Sequence, residues 1–399
     1  MQDSNKSSNY YQQSAFVLRI FKYASVLLFI IFLISCIVIF RKDITIQNMQ
    51  LLAKFINLDT GATEYVDEFS TTASDESEIT MLRDNLAVIN KNNISLYDLS
   101  GQKLFSYNYS LSSPAVVNDE HSIIVHDTDG DVLTIFNAFS KIKDFKYSGN
   151  VSSASINDNF FSVITDDESF NSSLKVYGYD YQSRDYLEIF TLKSSNFLTS
   201  SAVSHSGRHV AVSSVESDSG SYNCSVNLFD TSSDSSQPVL SYKIINELPV
   251  RVGFADDNSS LYVITDSAVH FLDSDFECSS IYKFNQSKVD KYYEGDEMLV
   301  FTEHNNLSGN SVMITALSEY GKTIFELNIS DEIYDIAIGK EKLFALGKRN
   351  VYEISKDKED FYKVSGESSL SSRYYRIVSD TADNCFIIGD SFVSKVNFN

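Results

Sequence analysis

The sequence feature that most constrains the fold is a unit of about forty residues that recurs eight times. In each unit a polar turn rich in Asp, Asn, Gly or Glu leads into a short, nearly continuous apolar strand. Such a strand is typical of a sheet that is buried between two others. The eight turn-plus-strand segments are RDNLAVIN (83–90), NDEHSIIVHD (118–127), NDNFFSVIT (157–165), SHSGRHVAVSS (204–214), ADDNSSLYVIT (255–265), EGDEMLVFTE (294–303), GKEKLFALG (339–347) and TADNCFIIGD (381–390).

Further strands follow within each unit. Every apolar strand is followed by a partner strand, and the first seven units then add a strand in which large residues alternate. The eighth unit runs to Asn399 without this last strand, whereas residues 62–70 (ATEYVDEFS), before the first unit, have outer-strand character. Circular propellers commonly close by combining strands from both ends of the chain. We therefore predict that residues 62–70 supply the outer strand of the last blade.

Four-stranded units at this spacing predict an all-β fold, an eight-bladed β-propeller over residues 61–399. A sandwich does not repeat its strands in groups of four. Seven blades, with one unit divided wrongly, is the alternative. The composition agrees, because the chain has 24 Tyr and 28 Phe but only 3 Pro and no Trp. Strong β-formers with many polar turn residues are typical of short strands joined by turns.

An apolar segment precedes the repeats. Residues 23–40 (YASVLLFIIFLISCIVIF) contain no charge, and eighteen helical residues span about 27 Å, enough for a bilayer core. We predict a transmembrane helix here, after a tail at residues 1–22. Residues 41–60 are predicted to form a juxtamembrane amphipathic helix or linker, because Ile46, Met49 and nearby apolar residues recur at helical spacing.

The orientation of this span is predicted from its charged flanks. Basic residues bound both ends, and Lys6, Arg19 and Lys22 tip the balance towards a cytoplasmic N-terminus. A single-pass signal-anchor protein in the cell membrane, with an extracytoplasmic propeller, is the expected topology. The segment from Leu33 to Cys36 also resembles a lipobox, so a lipoprotein anchored at Cys36 is the minority alternative.

The charge of the chain is strongly asymmetric. Residues 43–399 hold 27 of the 32 basic and 53 of the 54 acidic residues, a net charge of −26. Phosphate backbones repel such a domain, so nucleic acid is excluded as a partner. The acidity either provides solubility or attracts cations or basic partners.

The segment SHSGRHVAVSS resembles the inner turn of WD40-like and TolB-like propellers. The overall layout of basic tail, single span, amphipathic stalk and Trp-free blades resembles an uncharacterised family of bacterial envelope propellers. That resemblance implies the fold and the membrane topology only, because the family supplies no activity that can be transferred.

Residue patterns that carry chemistry give no enzyme signature. The three carboxylates of Asp127, Asp129 and Asp131 suggest Ca²⁺, but Asp-Gly between two apolar strands favours a hairpin turn. The six His are scattered, and no nucleophile elbow or phosphate loop occurs. We predict no catalytic, metal or cofactor site. The model of separate blades also predicts free thiols at Cys224, Cys278 and Cys385.

The loops that join the second and third strands of the blades carry the predicted binding surface. They open on one face, and three are long: residues 166–173, 215–225 and 303–310. Binding residues concentrate on loops held by rigid scaffolds. The first two loops belong to adjacent blades and define a candidate binding lip, which consists of Asp166, Asp167, Glu168, Glu216, Asp218 and Tyr222.

These features favour a non-catalytic, membrane-tethered interaction or scaffold module whose acidic face binds a protein or a glycan. The alternative is a cell-envelope hydrolase or lyase with its site at the propeller channel. A deep pocket with His, Asp and Arg at the channel mouth would favour the enzyme. A channel lined by small residues such as Ser152, Ser153 and Ser155 would favour binding.

Overall fold

The computed structural model describes residues 21–32, 34–35, 65–128, 130–218, 221–233, 235–284, 291–295, 297–304, 311–358 and 361–398, without the side chains of residues 217, 218 and 221. Contacts divide the chain into two units, Met1–Ala62 and Thr63–Asn399.

The N-terminal unit is helical at residues 21–32 and 34–35. Within the described ranges, no helix combines the length and the apolar character needed to cross a membrane. The predicted span at residues 23–40 includes residues 33 and 36–40, and these lie outside the described residues, as does the predicted juxtamembrane segment 41–60. Both stay predictions.

The second unit consists of short antiparallel strands. Blade 1 contains β2 (Glu78–Leu82), β3 (Asn85–Ile89), β4 (Asn93–Asp98) and β5 (Lys103–Asn108). Blade 2 contains β6 (Pro114–Asn118), β7 (Ser122–Asp127), β8 (Val132–Asn137) and β9 (Lys141–Lys146). Blade 3 contains β10 (Val151–Asn157), β11 (Phe160–Asp166), β12 (Ser172–Asp180) and β13 (Asp185–Ser194). Blade 4 contains β14 (Phe197–Val203), β15 (His209–Asp218), β16 (Ser221–Asp230) and β17 (Leu240–Ile245).

The second half repeats this arrangement. Blade 5 contains β18 (Pro249–Phe254), β19 (Leu261–Thr265), β20 (Ala268–Leu272) and β21 (Cys278–Lys283). Blade 6 contains β22 (Lys291–Gly295), β23 (Met298–His304), β24 (Val312–Ser318) and β25 (Thr323–Ile329). Blade 7 contains β26 (Ile333–Ile338), β27 (Lys342–Gly347), β28 (Asn350–Lys356) and β29 (Tyr362–Ser369). Blade 8 contains β30 (Arg376–Ser379), β31 (Cys385–Gly389), β32 (Phe392–Val396) and β1 (Glu68–Ser70).

The described strands form eight four-stranded sheets, and seven of these sheets use four strands that are consecutive in the chain. The predicted eight-bladed propeller is therefore confirmed, and the seven-bladed alternative is wrong. The first strand of each blade is the innermost, and the fourth is the outermost. Ser152, Ser153 and Ser155 lie on the inner strand β10, as predicted.

The ring closes through β1. This strand pairs antiparallel with β32, and Phe69 lies opposite Val393. Two backbone hydrogen bonds extend the pairing, from Thr71 N to Ser391 O and from Ser391 N to Ala73 O, both 2.9 Å. The prediction that residues 62–70 supply the outer strand of the last blade is confirmed for residues 68–70, while residues 62–64 lie outside the described residues.

Each pair of neighbouring blades has its own apolar core. Eight clusters of buried residues occur, and each combines side chains from two consecutive blades around the ring. Phenylalanine supplies the bulkiest side chains of these cores. The largest side chains that are completely buried are Phe136, Phe161, Phe271, Phe301, Phe344 and Phe386.

The predicted turn at residues 127–131 is confirmed. β7 ends at Asp127 and β8 begins at Val132. Both carboxylate oxygens of Asp127 accept backbone N–H bonds at 2.8 Å, from Ser112 and Ser113, so this side chain fixes the connection from blade 1 to blade 2. Cys224, Cys278 and Cys385 are free thiols on three different strands, as predicted.

Candidate interaction face and central channel

The propeller has two faces that differ in the connections they carry. The upper face carries the loops between second and third strands and the connections from one blade to the next. The lower face carries the turns between first and second strands and between third and fourth strands. The candidate binding lip belongs to the upper face, at blades 3 and 4.

The second lip segment is a strand pair, so the prediction of a loop at residues 215–225 is wrong. β15 and β16 continue their pairing up to Asp218 opposite Ser221. The pairing of β14 with β15 ends at Val215, and the pairing of β17 with β16 ends at Asn223. The hairpin therefore extends beyond both neighbouring strands. The Ser-Gly pair at residues 219–220, a turn-forming dipeptide among many polar residues, is the sequence signal for this hairpin.

The blade 3 part of the lip is a loop that holds its own shape. Asp167 accepts backbone N–H bonds from Ser169 at 2.9 Å and Phe170 at 3.2 Å, and it pairs with Lys193 at 2.9 Å. The hydrogen bond from Lys193 lowers the pKa of Asp167 below its ordinary value. Because Asp167 is bound within the chain, it maintains the loop, and the exposed acids beside it are Asp166 and Glu168.

This loop is attached to the first strand of blade 4. Asn171 donates its side-chain N–H to the carbonyl of Ser195. The Ser172 hydroxyl accepts a bond of 3.2 Å from the backbone N–H of Leu198. These bonds place the two halves of the predicted lip on adjacent blades. Glu216 and Tyr222 are exposed, and the side chain of Asp218 lies outside the described residues.

Sequence reasoning missed a group of exposed apolar side chains on the same face. At the upper face, every described large apolar residue that is classed as exposed belongs to blades 3, 4 and 5 or to the connections that follow blades 3 and 4. Ile245, at the end of β17, is 76% exposed, and Tyr222 is 60% exposed. We call this group the apolar patch, and it consists of Phe170, Phe197, Tyr222, Ile245, Leu248 and Val250.

Strand register distributes the patch over both sides of the hairpin. Glu216, Asn223 and Ile245 lie opposite one another across the sheet, so their side chains share one side. The next row, Val215 and Cys224, points to the other side, where it packs against the blade 5 core. Glu216 and Ile245 therefore face blade 3.

A bulge exposes one member of the patch. The register of β18 against β19 shifts between Pro249 and Arg251, so Val250 has no partner. A bulge re-aims the extra side chain out of the ladder. The inner strands of blades 3, 4 and 7 have the same irregularity near their upper ends. The sequence signal is faint, because one extra residue in a strand leaves no distinctive composition.

A buried polar network fixes the connection that carries Ile245 and Leu248. The Glu247 carboxylate accepts a hydrogen bond from Thr265 and meets Nε2 of His270, both at 2.7 Å. Burial disfavours the charge of Glu247, but the bonds from His270 and Thr265 outweigh it and lower the pKa of Glu247. The Tyr242 hydroxyl lies 3.0 Å from Nδ1 of His270. The connection is therefore held before any partner arrives.

The central channel is surrounded by polar contacts between inner strands. Seven neighbouring pairs of inner strands are joined by a side-chain hydrogen bond or an ion pair. These contacts are Thr80–Asn118, Asn157–Val203 O, Ser200–Val252 N, Arg251–Glu294, Lys291–Tyr334 O, Asp335–Ile377 N and Arg376–Glu78.

The Arg251–Glu294 pair is the strongest of these contacts. Nε of Arg251 lies 2.9 Å from Oε1 of Glu294, and a terminal guanidinium nitrogen lies 2.9 Å from Oε2. The Tyr262 hydroxyl donates to the same carboxylate at 3.3 Å. A bidentate pair of this kind is geometrically specific as well as strong. It ties blade 5 to blade 6 at the channel wall.

A cavity opens at each end of the channel. The upper cavity has a volume of about 520 Å³, and the lower one about 680 Å³. Burial raises the pKa of Asp335, in the upper cavity, although Ile377 N–H donates to it and Arg376 and Lys291 lie nearby. The charged residues that line the upper cavity are Glu78, Lys291, Asp335 and Arg376.

Two of the scattered histidines lie on different blades, His205 between β14 and β15 and His126 in β7. Nδ1 of His205 lies 3.3 Å from Asp158 on the lower face. Burial lowers the pKa of His126, which lies within β7. Neither His205 nor His126 lines one of the channel cavities.

A buried glutamate on the lower face makes stability depend on pH. Burial raises the pKa of Glu319 to about 7, and the charges of Asp256, Glu297 and Asp257 add to this, although Asp256 N–H donates to the carboxylate at 3.0 Å. The folded chain therefore binds this proton more tightly than the unfolded chain does. The contribution of Glu319 to stability is therefore greatest below its ordinary pKa of 4.5, and it is lost as the pH rises towards 7.

Glu319→Gln is expected to remove this loss. The variant should be more stable than the natural chain at pH 8 by about 1 kcal/mol, because solvent screens part of the effect, and should match it near pH 4.5. Thermal unfolding across this pH range measures the difference. The control is Glu120→Gln, an exposed glutamate on the same face. Equal gains for the two variants at pH 8 would contradict the assignment to Glu319.

The fold and its closure define the class of protein, an eight-bladed β-propeller. The chain belongs to a family described as a family of unknown function (DUF5711), whose sequence profile matches residues 59–398.

Solved structures share the architecture. BamB from Moraxella catarrhalis matches with 12% identity and a TM-score of 0.50, over 83% of this chain and 98% of that one. Sqt1 of Saccharomyces cerevisiae matches with 7% identity and a TM-score of 0.57, again over 83% and 98%. At these identities the likeness concerns the fold alone. A comparison with curated protein sequences gives no match.

Proposed function

We propose that this chain is a non-catalytic interaction module, tethered to the membrane by residues 23–40, whose extracytoplasmic propeller binds a partner protein through its upper face. The observation that carries the proposal is the extended β15–β16 hairpin, which presents Tyr222 beyond both neighbouring strands and the exposed Glu216 at the level where β17 ends. A rigid scaffold with one protruding, exposed element is typical of a recognition surface. The uncharged apolar segment supports the tether, and the basic residues Lys6, Arg19 and Lys22 before it support the exterior location of the propeller.

Protease protection on intact cells tests the location. With tags at residue 2 and at the C-terminus, we expect external protease to digest the propeller while the N-terminal tag survives. Protection of the propeller together with loss of the N-terminal tag would reverse the topology.

Photo-crosslinking in the same cells tests the binding surface. A photoreactive residue in place of Tyr222 is expected to give a protein adduct, and one in place of Phe361, which is 68% exposed on the lower face, is not. Adducts from both positions, or from neither, would contradict a binding role for the hairpin.

The second candidate is a hydrolase or lyase with its site at the channel, and the upper cavity favours it. Asp335 is a half-buried carboxyl with a raised pKa beside two cationic side chains, as general acids often are. If this candidate is right, a hydrolytic or lyase activity of the purified chain should fall at least about a hundredfold in Asp335→Asn. A fully active Asp335→Asn variant would exclude this cavity as the site.

A further inference from the structure

We infer that the upper face of blades 3–5 binds a protein segment in which apolar side chains are flanked by Lys or Arg. This inference rests on the proposed function and specifies the partner of the same face. The juxtaposition that carries it is the apolar patch beside the exposed acids Asp166, Glu168 and Glu216.

The distribution of apolar side chains argues for a docking site. Large exposed apolar residues also occur elsewhere, but on the lower face and the outer strands they are spread over several blades. On the upper face the described ones are confined to three consecutive blades and their connections. A group of exposed apolar residues on consecutive blades is typical of an interaction site, whereas single exposed residues are ordinary.

The chemistry of the patch argues for a protein rather than a glycan. Half of the patch, namely Ile245, Leu248 and Val250, is aliphatic, and these three side chains offer neither a ring face nor a hydrogen-bonding group. A sugar that is docked on them would leave its hydroxyl groups without partners, which is costly. Aliphatic or aromatic side chains of a partner segment would instead exclude water from both surfaces.

Charge defines the flanking residues of the partner. Among the ion pairs of the described residues, none includes Asp166, Glu168 or Glu216. Lys193, the cation beside them, already pairs with Asp167 at 2.9 Å. Within the described residues, the rim of the patch is therefore negative and unpaired, in a region with a net charge of −26. Lys or Arg beside the apolar anchors would complement this rim and speed the encounter.

The segments that carry the patch are also held in place by hydrogen bonds and an ion pair before any partner binds. Leu248 donates its backbone N–H to Asp266 at 3.0 Å, and the neighbouring Glu247 is held by Thr265 and His270. The Asp167–Lys193 pair and two backbone bonds hold the loop that carries Phe170. A surface that is already ordered loses less conformational entropy on association.

Selection from a random peptide library displayed on phage tests the inference, with the purified full-length chain in detergent as the target. We expect enriched peptides to place Lys or Arg next to aliphatic or aromatic residues. For a synthetic copy of an enriched peptide, Ile245→Asp should raise Kd about tenfold or more. Phe361→Asp also replaces an exposed apolar residue by an acid, but on the lower face, and it should leave Kd unchanged.

A second variant separates charge from apolar contact. Combining Asp166→Asn, Glu168→Gln and Glu216→Gln should also weaken binding and should reduce its dependence on salt between about 0.05 and 0.5 M. These three positions and Ile245 are exposed, and thermal unfolding of the variants checks that the fold is kept.

Several outcomes would overturn the inference. They are enrichment of no peptide, enrichment of acidic peptides, or binding that survives Ile245→Asp. Glycan binding that Ile245→Asp abolishes would make the partner a glycan, and self-association lost in the same variant would make it a second copy of the chain. If crosslinking at Tyr222 in cells succeeds while the selection fails, the proposed function stands and only the stated partner chemistry is wrong.

Discussion

Phe69→Ala is expected to lower the free energy of unfolding by about 3–4 kcal/mol. Phe69 is only 8% exposed and packs where blade 8 meets blade 1, with its ring centroid 6.5 Å from that of Tyr97. It also lies against Gly101, where an added Cβ would come within 2.5 Å of the Phe69 Cβ. The change leaves a cavity at the closure itself. Urea unfolding followed by far-ultraviolet circular dichroism measures the loss.

Phe361→Ala is the matched control, because the same side chain is removed from an exposed turn. We expect its effect to stay within about 0.5 kcal/mol. An unchanged urea slope in both variants would show that the transition midpoint reports stability. If Phe69→Ala is as stable as Phe361→Ala, β1 does not hold the ring closed.

Arg251→Met is expected to cost about 3 kcal/mol. Among the described residues, the substitution leaves the Glu294 carboxylate at the channel wall with one hydrogen-bond donor, the Tyr262 hydroxyl at 3.3 Å. Breaking a buried pair costs about 3–5 kcal/mol because the remaining charge is uncompensated. We expect a cost at the lower end of this range, because the side chains of Arg251 and Glu294 are 25% and 28% exposed and channel water can reach them. Urea unfolding at pH 7 measures the effect.

The double variant Arg251→Met, Glu294→Leu tests the cause. With no charge left unpaired, it should recover most of the loss. Lys91→Met is the control for an exposed pair. Lys91 and Glu76 are 2.7 Å apart but largely exposed, so the expected cost is below about 1 kcal/mol. A double variant that is less stable than Arg251→Met would show that the pair matters for more than its charge balance.

The blades could be predicted from sequence because their signals are local. In the segment at residues 255–265, for example, a polar turn is followed by the run Leu261–Thr265, which is β19 and completely buried. Inner strands are harder to recognise. β22 (KYYEG) is polar because one edge faces the channel, so its composition resembles that of a loop.

The candidate site could be predicted only in part. The acids of the lip and Tyr222 lie on the upper face, as expected. The apolar patch depends on where strands stop and where bulges occur, as at Ile245 and Val250, and these are properties of register rather than of composition. The channel pair joins Arg251 to Glu294, 43 positions later in the chain, and only the closed ring brings them together.

The strand β1 has a mechanical consequence under the proposed tether. Any pull between the membrane and a partner held on the propeller would enter the domain through the chain before Glu68. It would therefore act on β1 first, as a force along a strand that pairs over three residues. Hydrogen bonds and the Phe69 packing would resist this shear together until they fail together. The strand that closes the ring would then also set the tension at which blade 8 opens.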